Sequence, residues 1–344
     1  MVRTSLVCLL LLLLLPLANA QIGGRQTYSF LNLTNSPRIA SLGGKNVSLP
    51  DSDLSMPFHN PALLNGGMHH HMVLNYVNYF TDVNYGYFSI AKKYKENQNL
   101  AFGIHYMNYG SFTEANASGV KTGTFHASDY AFNLIYSLKL DSFWQVGVNV
   151  KPILSTYEKY TSMGLVFDAG ISYYNPQRLF SAGLVLRNVG SQIVPYSSGN
   201  YEPVPFEIVA GITQRLRYAP LSFSITAHQL QKPDLTYTVK TDNNSDNAIS
   251  QSEKKSKIDK VSDQFMRHII VGVEFNPIKN FFIRAGYNYQ RRKEMTVSTK
   301  TGMIGFSYGF GIKISKFVID YGRATYHLAG ASNHFSVSLN LDEI

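Results

Sequence analysis

The sequence contains almost no cysteine and almost no tryptophan. Its only cysteine, Cys8, lies in a leader segment that we expect to be removed. The chain after residue 20 therefore has no disulfide, no thiolate nucleophile and no cysteine ligand for a metal. One tryptophan stands against 23 tyrosines and 21 phenylalanines, so aromatic surface must come from Tyr and Phe.

Long apolar runs are also absent after residue 20. The one such run, Leu6–Leu17, follows Arg3 and is followed by Ala18-Asn19-Ala20. A basic start, an apolar stretch and an A-x-A end predict a secretory signal peptide over residues 1–20. The run is too short for a spanning helix, which needs roughly 20 apolar residues. If the remaining chain sits in a membrane, it must be a closed β-barrel, because only helices and barrels satisfy their backbone groups in lipid.

Concentrated charge of one sign is missing as well. The chain has 31 Lys and Arg against 22 Asp and Glu, a net charge of +9, and the basic residues are scattered singly. No basic run with interleaved aromatic residues occurs, so we expect no nucleic-acid partner.

What the sequence does have is alternation with a period of two. In Gly302–Ile314 one face is large and apolar and the other is mostly small or polar, as in a β-strand. We predict that the apolar face contacts lipid; it consists of Ile304, Phe306, Tyr308, Phe310, Ile312 and Ile314. The small face, with Gly305, Gly309 and Gly311, leaves space inside the barrel. Similar patterns predict fourteen strands, near 71–77, 84–92, 100–109, 125–138, 143–154, 163–174, 180–189, 206–217, 221–231, 265–275, 280–290, 303–314, 317–326 and 335–342.

Connections between these predicted strands alternate between short and long. Bacterial outer-membrane barrels have this form, with an even strand number, tight periplasmic turns and longer extracellular loops. We therefore predict an all-β fold: a transmembrane outer-membrane β-barrel of about 14 antiparallel strands over residues 68–344. The predicted extracellular loops include Ser111–Thr124, Gly190–Pro205 and Lys232–Gln264. The last is rich in charge, and we expect it to be mobile and solvated.

Residues 21–67 precede the first strand and lack sustained alternation. They contain the turn signals Gly43-Gly44, Pro50-Asp51 and Asn60-Pro61. A segment this long either forms a plug or cap against the barrel or is disordered. Its apolar content favours order.

Few residues suggest chemistry. His69-His70-His71 invites a metal interpretation, but adjacent histidines in a strand point to opposite faces, and no Cys or close carboxylate joins them. We therefore assign this tract to structure or an interface. Ser222, Ser224 and His228 share a face without an orienting third group. We expect no enzyme activity, catalytic residue, metal or cofactor. Cationic side chains on polar faces line the lumen or form a selectivity ring: Lys151, Arg187, Arg217, Arg284 and Lys313.

Short motifs across the chain resemble one bacterial family. They are Gln21-Ile-Gly-Gly-Arg, Phe30-Leu-Asn-Leu, Ala40-Ser-Leu-Gly-Gly, Asn60-Pro-Ala-Leu-Leu-Asn, Leu74-Asn-Tyr-Val-Asn-Tyr-Phe, Asn108-Tyr-Gly-Ser-Phe, Gly123-Thr-Phe, Pro205-Phe-Glu-Ile and Ser224-Ile-Thr-Ala-His-Gln-Leu-Gln. Together they resemble the PorV/PorQ family of the type IX secretion system, which is similar to long-chain fatty acid transporter barrels with fourteen strands and an N-terminal plug. The similarity spans essentially the mature chain and departs most at Lys232–Gln264.

The resemblance implies a non-enzymatic anchor in the attachment complex. Such a barrel holds a PorZ-like surface protein at the outer-membrane lipid and lipopolysaccharide, beside a PorU-like sortase and a PorV-like shuttle barrel. Aromatic residues dominate interface hot spots, so Tyr196, Tyr201, Tyr237 and Phe112 are the predicted partner-binding residues. Two alternatives stay open: a transporter of a hydrophobic or small polar solute, and a soluble exported carbohydrate-binding β protein.

Overall fold

The computed structural model describes residues 26–236, 257–295, 302–327 and 330–343. The expected signal peptide, residues 1–20, and the predicted binding residue Tyr237 lie outside these ranges. No helix within them has the length and apolarity needed to cross a membrane.

Fourteen strands form one closed sheet. Each strand pairs antiparallel with its sequence neighbours, and the first also pairs with the last. The predicted fourteen-strand all-β barrel is confirmed. The strands are β1 (His71–Asn78), β2 (Asn84–Lys95), β3 (Gln98–Ala115), β4 (Lys121–Lys139), β5 (Trp144–Tyr157), β6 (Tyr160–Asn175), β7 (Phe180–Val194), β8 (Glu207–Arg215), β9 (Leu221–Ala227), β10 (Ile269–Ile278), β11 (Phe281–Asn288), β12 (Phe306–Ile314), β13 (Phe317–His327) and β14 (Gly330–Asn340). Three α-helices in the described ranges are α1 (Pro37–Ser41), α2 (Lys257–Arg267) and α3 (Tyr289–Met295).

Several strands extend further than the apolar alternation predicted. Most of the predicted loop Ser111–Thr124 is a paired hairpin of β3 and β4, and β7 enters the predicted loop Gly190–Pro205. Between β5 and β6 only residues 158–159 remain, so the predicted long connection there is wrong. Backbone pairing continues through polar residues because ladder hydrogen bonds do not depend on an apolar side chain.

The charged segment Lys232–Gln264 is more ordered than predicted where it is described. Residues 257–264 belong to helix α2, which packs on α3. Asp263 accepts a hydrogen bond from Tyr289 Oη at 2.7 Å and pairs with Arg267 at 3.0 Å. Tertiary contacts thus order residues 257–264 as a helix. Val261 is 65% exposed, which agrees with a solvated segment, and mobility stays a prediction.

The outer surface of the barrel is apolar and the inner surface polar. Leu134, Val148 and Tyr308 are 51%, 47% and 49% exposed, whereas the inward neighbours Asn133 and Asn149 are fully buried. A closed barrel leaves no unpaired strand edge, so its backbone is satisfied in a water-free layer. This inverted polarity is that of a barrel in a lipid bilayer.

The lengths of the connections between strands distinguish the two rims of the barrel. One carries short turns such as 96–97, 279–280 and 315–316, and the other carries the longer segments 195–206 and 228–268. In outer-membrane barrels the tight turns are periplasmic, so we assign the first rim to the periplasm and the second to the extracellular side.

Strand β12 shows both faces that its sequence predicted, with one exception. Phe306, Tyr308 and Phe310 are exposed on the outer surface as expected. Ile304 is fully buried, so its assignment to lipid is wrong. It precedes the strand, in a turn where Gly305 adopts a φ of +84° that breaks the alternation.

Residues 26–68, here called the plug, fill the lumen. At the extracellular rim the amide of Thr27 donates to the carbonyl of Pro203 at 3.1 Å. Near the periplasmic rim the side chain of Gln145 donates to the Leu64 carbonyl. Helix α1 begins after Ser36, which caps it, and has Pro37 in its first turn. The plug therefore runs from one rim to the other and then continues into β1.

Glycine on the inner wall permits close approach of the plug. A Cβ at Gly309 would meet the hydroxyl of Ser41, and one at Gly322 would meet the carbonyl of Pro37. The space left by the small face of β12 is thus occupied by helix α1. A larger residue at these positions would displace the helix.

Candidate functional site in the barrel lumen

A buried ion-pair chain fixes helix α1 to the wall near the periplasmic end. Arg38 donates to both carboxylate oxygens of Glu274 on β10, at 2.9 and 3.1 Å. Arg284 on β11 donates to Glu274 at 2.7 Å and to Asp320 on β13 at 2.5 Å. Arg38 also pairs with Asp51 within the plug. Charge-assisted bonds of this kind are short and directional, so α1 is held in one position.

A second ion-pair site lies on the β7–β8 wall. Lys45 of the plug pairs with Glu207, and Arg187 lies 3.8 Å from the same carboxylate. Arg187 also donates to the carbonyl of Leu31 at 3.2 Å. In the described part of the chain, Glu207 is the only carboxylate within ion-pair distance of these two cations. All three charged side chains are largely buried, so both cations depend on Glu207 for charge compensation.

A third buried pair lies wholly within the wall. Lys151 on β5 contacts Asp168 on β6 at 2.7 Å and Asn188 on β7 at 2.5 Å. Between β6 and β7 the register shifts at Phe167–Ala169, and Asn188 has a φ of +56°. This bulge places Asn188 against the pair, as bulges often re-aim a side chain.

An apolar chamber occupies the extracellular half of the lumen. The plug supplies Tyr28, Phe30 and Leu31, all buried. Phe30 also packs on His105, with ring centroids 5.4 Å apart. The hydroxyl of Tyr28 lies 2.5 Å from Ser162 Oγ, which ties this end to β6. The wall of the chamber is formed by Val77, Tyr85, Met107, Ala131, Ile153, Val166 and Val204.

Two cavities open at the periplasmic side. One of about 430 Å³ lies between the plug and the wall formed by β6–β14 and the start of β1, and its lining includes Arg38, Asp51, Arg284 and Lys313. The other, of about 450 Å³, is lined by residues that include Trp144. Both end against the plug, and neither reaches the apolar chamber through its lining residues.

The cations predicted to line the lumen divide into two groups. Lys151, Arg187 and Arg284 are buried inside and paired, and Lys313 lines the periplasmic cavity. Arg217 does not line the lumen, so that prediction is wrong. It lies in the turn between β8 and β9 and donates to the Gln177 carbonyl at 2.6 Å. The predicted strand continued to residue 217, but pairing stops at Arg215.

The predicted partner-binding residues differ in exposure. Tyr201 is 63% exposed in segment 195–206, and Phe112 is 41% exposed and stacks on Phe125 at 5.1 Å. Tyr196 is only partly exposed, because its hydroxyl lies 2.5 Å from Ser155 Oγ. Partner binding by these residues stays a prediction.

The histidine tract has a neighbour that sequence spacing did not reveal. Nδ1 of His70 lies 2.5 Å from Oδ1 of Asp342, which follows the last strand. The expectation that no close carboxylate joins this tract is therefore wrong, because β1 and β14 pair across the barrel closure. The hydrogen bond with His70 lowers the pKa of Asp342 below its ordinary value.

Comparison with known proteins identifies the fold. No protein-family model matches the chain, and no curated protein matches its sequence. The monoaromatic hydrocarbon channel CymD superposes with a TM-score of 0.52, at 12% identity, covering 91% of this chain and 97% of CymD. The P. putida toluene transporter TodX gives a TM-score of 0.54, at 10% identity, over 90% of this chain and 99% of TodX.

This chain is an outer-membrane β-barrel. Its closed fourteen-strand sheet superposes over nearly the whole length of both comparison structures. Its apolar exterior and polar interior are those of a barrel in a lipid bilayer. Those two structures are a channel and a transporter. At 10–12% identity the likeness concerns the fold, and activity has to be argued from the lumen itself.

Proposed function

We propose that this protein is an outer-membrane transport barrel for a small hydrophobic solute, closed by its own N-terminal segment. The apolar chamber around Phe30 carries this proposal. Solved barrels of the same fold are named as a monoaromatic hydrocarbon channel and a toluene transporter. That likeness favours transport over the anchor role that the PorV/PorQ resemblance implies.

The chamber matches a small aromatic solute in size and polarity, because an aromatic side chain fills it. The side chain of Phe30 is chemically equivalent to toluene, and it is 2% exposed among apolar wall residues. Withdrawal of Ser29–Asn32 would leave a mostly apolar pocket. His105, Arg187 and Asn188, which contact this segment, would be its polar groups. Ligand pockets for such molecules are concave, mostly apolar and carry few polar groups.

Two parts of the plug, residues 27–31 and helix α1, are held differently. Near the extracellular rim, residues 27–31 are held by bonds such as those from Thr27 to Pro203 and from Arg187 to Leu31. Helix α1 is held by a buried ion-pair chain through Arg38. A neutral hydrogen bond contributes about 0.5–1.5 kcal/mol and one from a charged donor such as Arg187 about 1.5–3 kcal/mol, whereas breaking a buried ion pair costs about 3–5 kcal/mol. Withdrawal of residues 27–31 breaks none of the ion pairs described above, so α1 can stay in place while this segment moves.

Phe30→Ala is expected to increase entry of an apolar solute. Truncating a buried Phe costs about 3–5 kcal/mol, which loosens Ser29–Asn32 and empties part of the chamber. The measurement is the rate at which cells expressing the barrel take up N-phenyl-1-naphthylamine, an apolar fluorophore that intact outer membrane excludes. We expect faster uptake with the wild type than without the barrel, and the fastest with Phe30→Ala.

Phe310→Ala is the matched control, because Phe310 points outward and is 42% exposed. Cells expressing Phe310→Ala should take up the fluorophore at the wild-type rate. Uptake that is identical with and without the barrel, for the wild type and for Phe30→Ala, would contradict transport.

Anchoring of a surface partner is the second candidate function. It is favoured by a specific feature: the described lumen is sealed by a plug that buried ion pairs tie to the wall. The family resemblance supports the same role, with a PorZ-like surface protein as partner and lipopolysaccharide attachment of cargo as the process served. The long β3–β4 hairpin, with its Phe112–Phe125 stack, and segment 195–206, with Tyr201, provide exposed aromatic surface for such contacts.

A double variant tests this second function. Phe112→Ala with Tyr201→Ala should reduce recovery of the surface partner, because aromatic hot spots each contribute about 2 kcal/mol or more. The measurement is quantitative co-purification from detergent-extracted outer membranes. Tyr218→Ala, which alters a 95% exposed tyrosine on the periplasmic rim, serves as control. Equal recovery with the double variant and the wild type would reject these two residues as the contact.

A further inference from the structure

A cluster of ligating side chains lies at the periplasmic rim, outside the lumen. His69 and His70 immediately precede β1, and Asp342 lies two residues after the end of β14, in the 3-10 turn Leu341–Glu343. One ligand atom from each of the three lies within 4.8 Å of the other two. The rings of His69 and His70 are 3.7 Å apart at their centroids. Three donors thus converge from the beginning of the first strand and the end of the last strand.

The backbone accounts for this convergence. His70 has a φ of +54°, a left-handed conformation that non-glycine residues seldom adopt. It interrupts the strand alternation that would send neighbouring histidines to opposite faces. Pairing of His71 with Asn340 then places the end of β14 beside the tract.

Each donor atom would exchange a hydrogen bond for the ion. An ion on His69 Nδ1 would replace the bond that this nitrogen accepts from the Lys93 amide at 3.2 Å. His70 Nδ1 and Asp342 Oδ1 are hydrogen-bonded at 2.5 Å. A divalent ion that takes the place of this hydrogen bond would be bound by both groups. Tetrahedral coordination at about 2.0–2.1 Å places donor atoms about 3.4 Å apart, and the exposed Asp342 side chain has the freedom to adjust.

We propose that His69, His70 and Asp342 form a binding site for a divalent transition metal, with Zn²⁺ as the preferred class of ion. Two imidazoles and one carboxylate suit Zn²⁺ and its neighbours in the first transition series and do not suit Mg²⁺. Solvent supplies the remaining ligand, since all three residues are at least partly exposed.

The position of the site assigns its role. Strands β1 and β14 close the barrel, and residues 70 and 342 are separated by 272 positions in sequence. A bound ion joins the two ends of the sheet at this seam. His71 Nδ1, adjacent to the site, donates to the carbonyl of Ser52 in the plug at 3.2 Å. The ion therefore stabilises the seam where the plug leaves the lumen.

Zn²⁺ binding by the purified barrel in detergent micelles tests the proposal. Isothermal titration gives the dissociation constant, and heat-modifiability on gels gives the temperature at which the barrel unfolds. Zn²⁺ should raise that temperature in the wild type, because a ligand bound only to the folded state stabilises it. Mg²⁺ should have no effect.

Asp342→Asn and His70→Asn are the informative variants. Asn tolerates the left-handed conformation at residue 70, so the backbone is retained. Each variant should weaken Zn²⁺ binding by more than about 10-fold, since loss of an outer-shell partner alone costs about 10–100-fold. His71→Asn is the matched control within the same tract and should retain wild-type affinity.

Two results would overturn the site. If Asp342→Asn binds Zn²⁺ as tightly as the wild type, the carboxylate is not a ligand. If His71→Asn weakens binding as much as His70→Asn does, the ion binds the histidine tract without a defined geometry. The folded, heat-modifiable band of each variant is measured first without metal, so that loss of binding is distinguished from loss of the barrel.

Discussion

Glu207→Gln is expected to lower the free energy of unfolding by about 3–5 kcal/mol. The substitution keeps the size of the side chain but removes the charge that compensates Lys45 and Arg187. Both cations then remain buried without a carboxylate partner, which is the costly way to break a buried ion pair. Urea unfolding in detergent micelles, followed by far-ultraviolet circular dichroism, measures the change.

Glu158→Gln provides the comparison for this variant. Glu158 lies in the exposed turn between β5 and β6, 3.7 Å from the exposed Lys159. Surface pairs of this kind contribute about 0–1 kcal/mol, so the free energy of unfolding of this variant should be close to that of the wild type. If Glu207→Gln also has the free energy of unfolding of the wild type, the buried cations are neutralised by something other than Glu207.

Gly147→Val is expected to open the lumen. Gly147 faces inward on β5, and a Cβ there would overlap backbone atoms of Pro61 and Ala62 in the plug. Backbone cannot rotate away as the end of a flexible side chain can, so this part of the plug must leave the wall. Overpacking costs at least about 1–3 kcal/mol, while strand pairing is unaffected because Val favours β-structure. We expect the wild type to be electrically silent in planar bilayers and Gly147→Val to conduct.

Gly123→Val separates displacement of the plug from a general effect of a larger residue. Gly123 lies on the projecting part of β4, and a Cβ there would meet only the carboxylate of Glu114. That side chain is free to move, so this variant should remain silent. A silent Gly147→Val barrel with normal heat-modifiability would show that the plug tolerates the displacement without opening a path.

The barrel was predictable because its signal is local. In each strand the alternation of apolar and polar residues indicates which face contacts lipid, as from Phe306 to Ile314. Fourteen such alternating segments predict a fourteen-strand barrel. Boundaries were less predictable. The β3–β4 hairpin continues through polar residues up to Ala115, where alternation gives no signal but backbone pairing persists.

The lumen was predictable only in part. Sequence alternation identified Lys151, Arg187 and Arg284 as inward-facing, but it gave no indication of their partners. Glu207 and Glu274 lie on strands far from Lys45 and Arg38 in sequence, 162 and 236 positions away. Period-two patterns give the face on which a residue lies and contain no information about which plug residue sits opposite it.

By itself, the sequence determined the number and direction of the strands, the apolar exterior and the composition of the plug. Only the tertiary structure decided that Lys45 meets Glu207, that Phe30 fills an apolar chamber and that Asp342 joins His69 and His70. The physical reason is the range of the interactions. Alternation is set by neighbouring residues, whereas these contacts depend on barrel closure and on the register of strands that are distant in the chain.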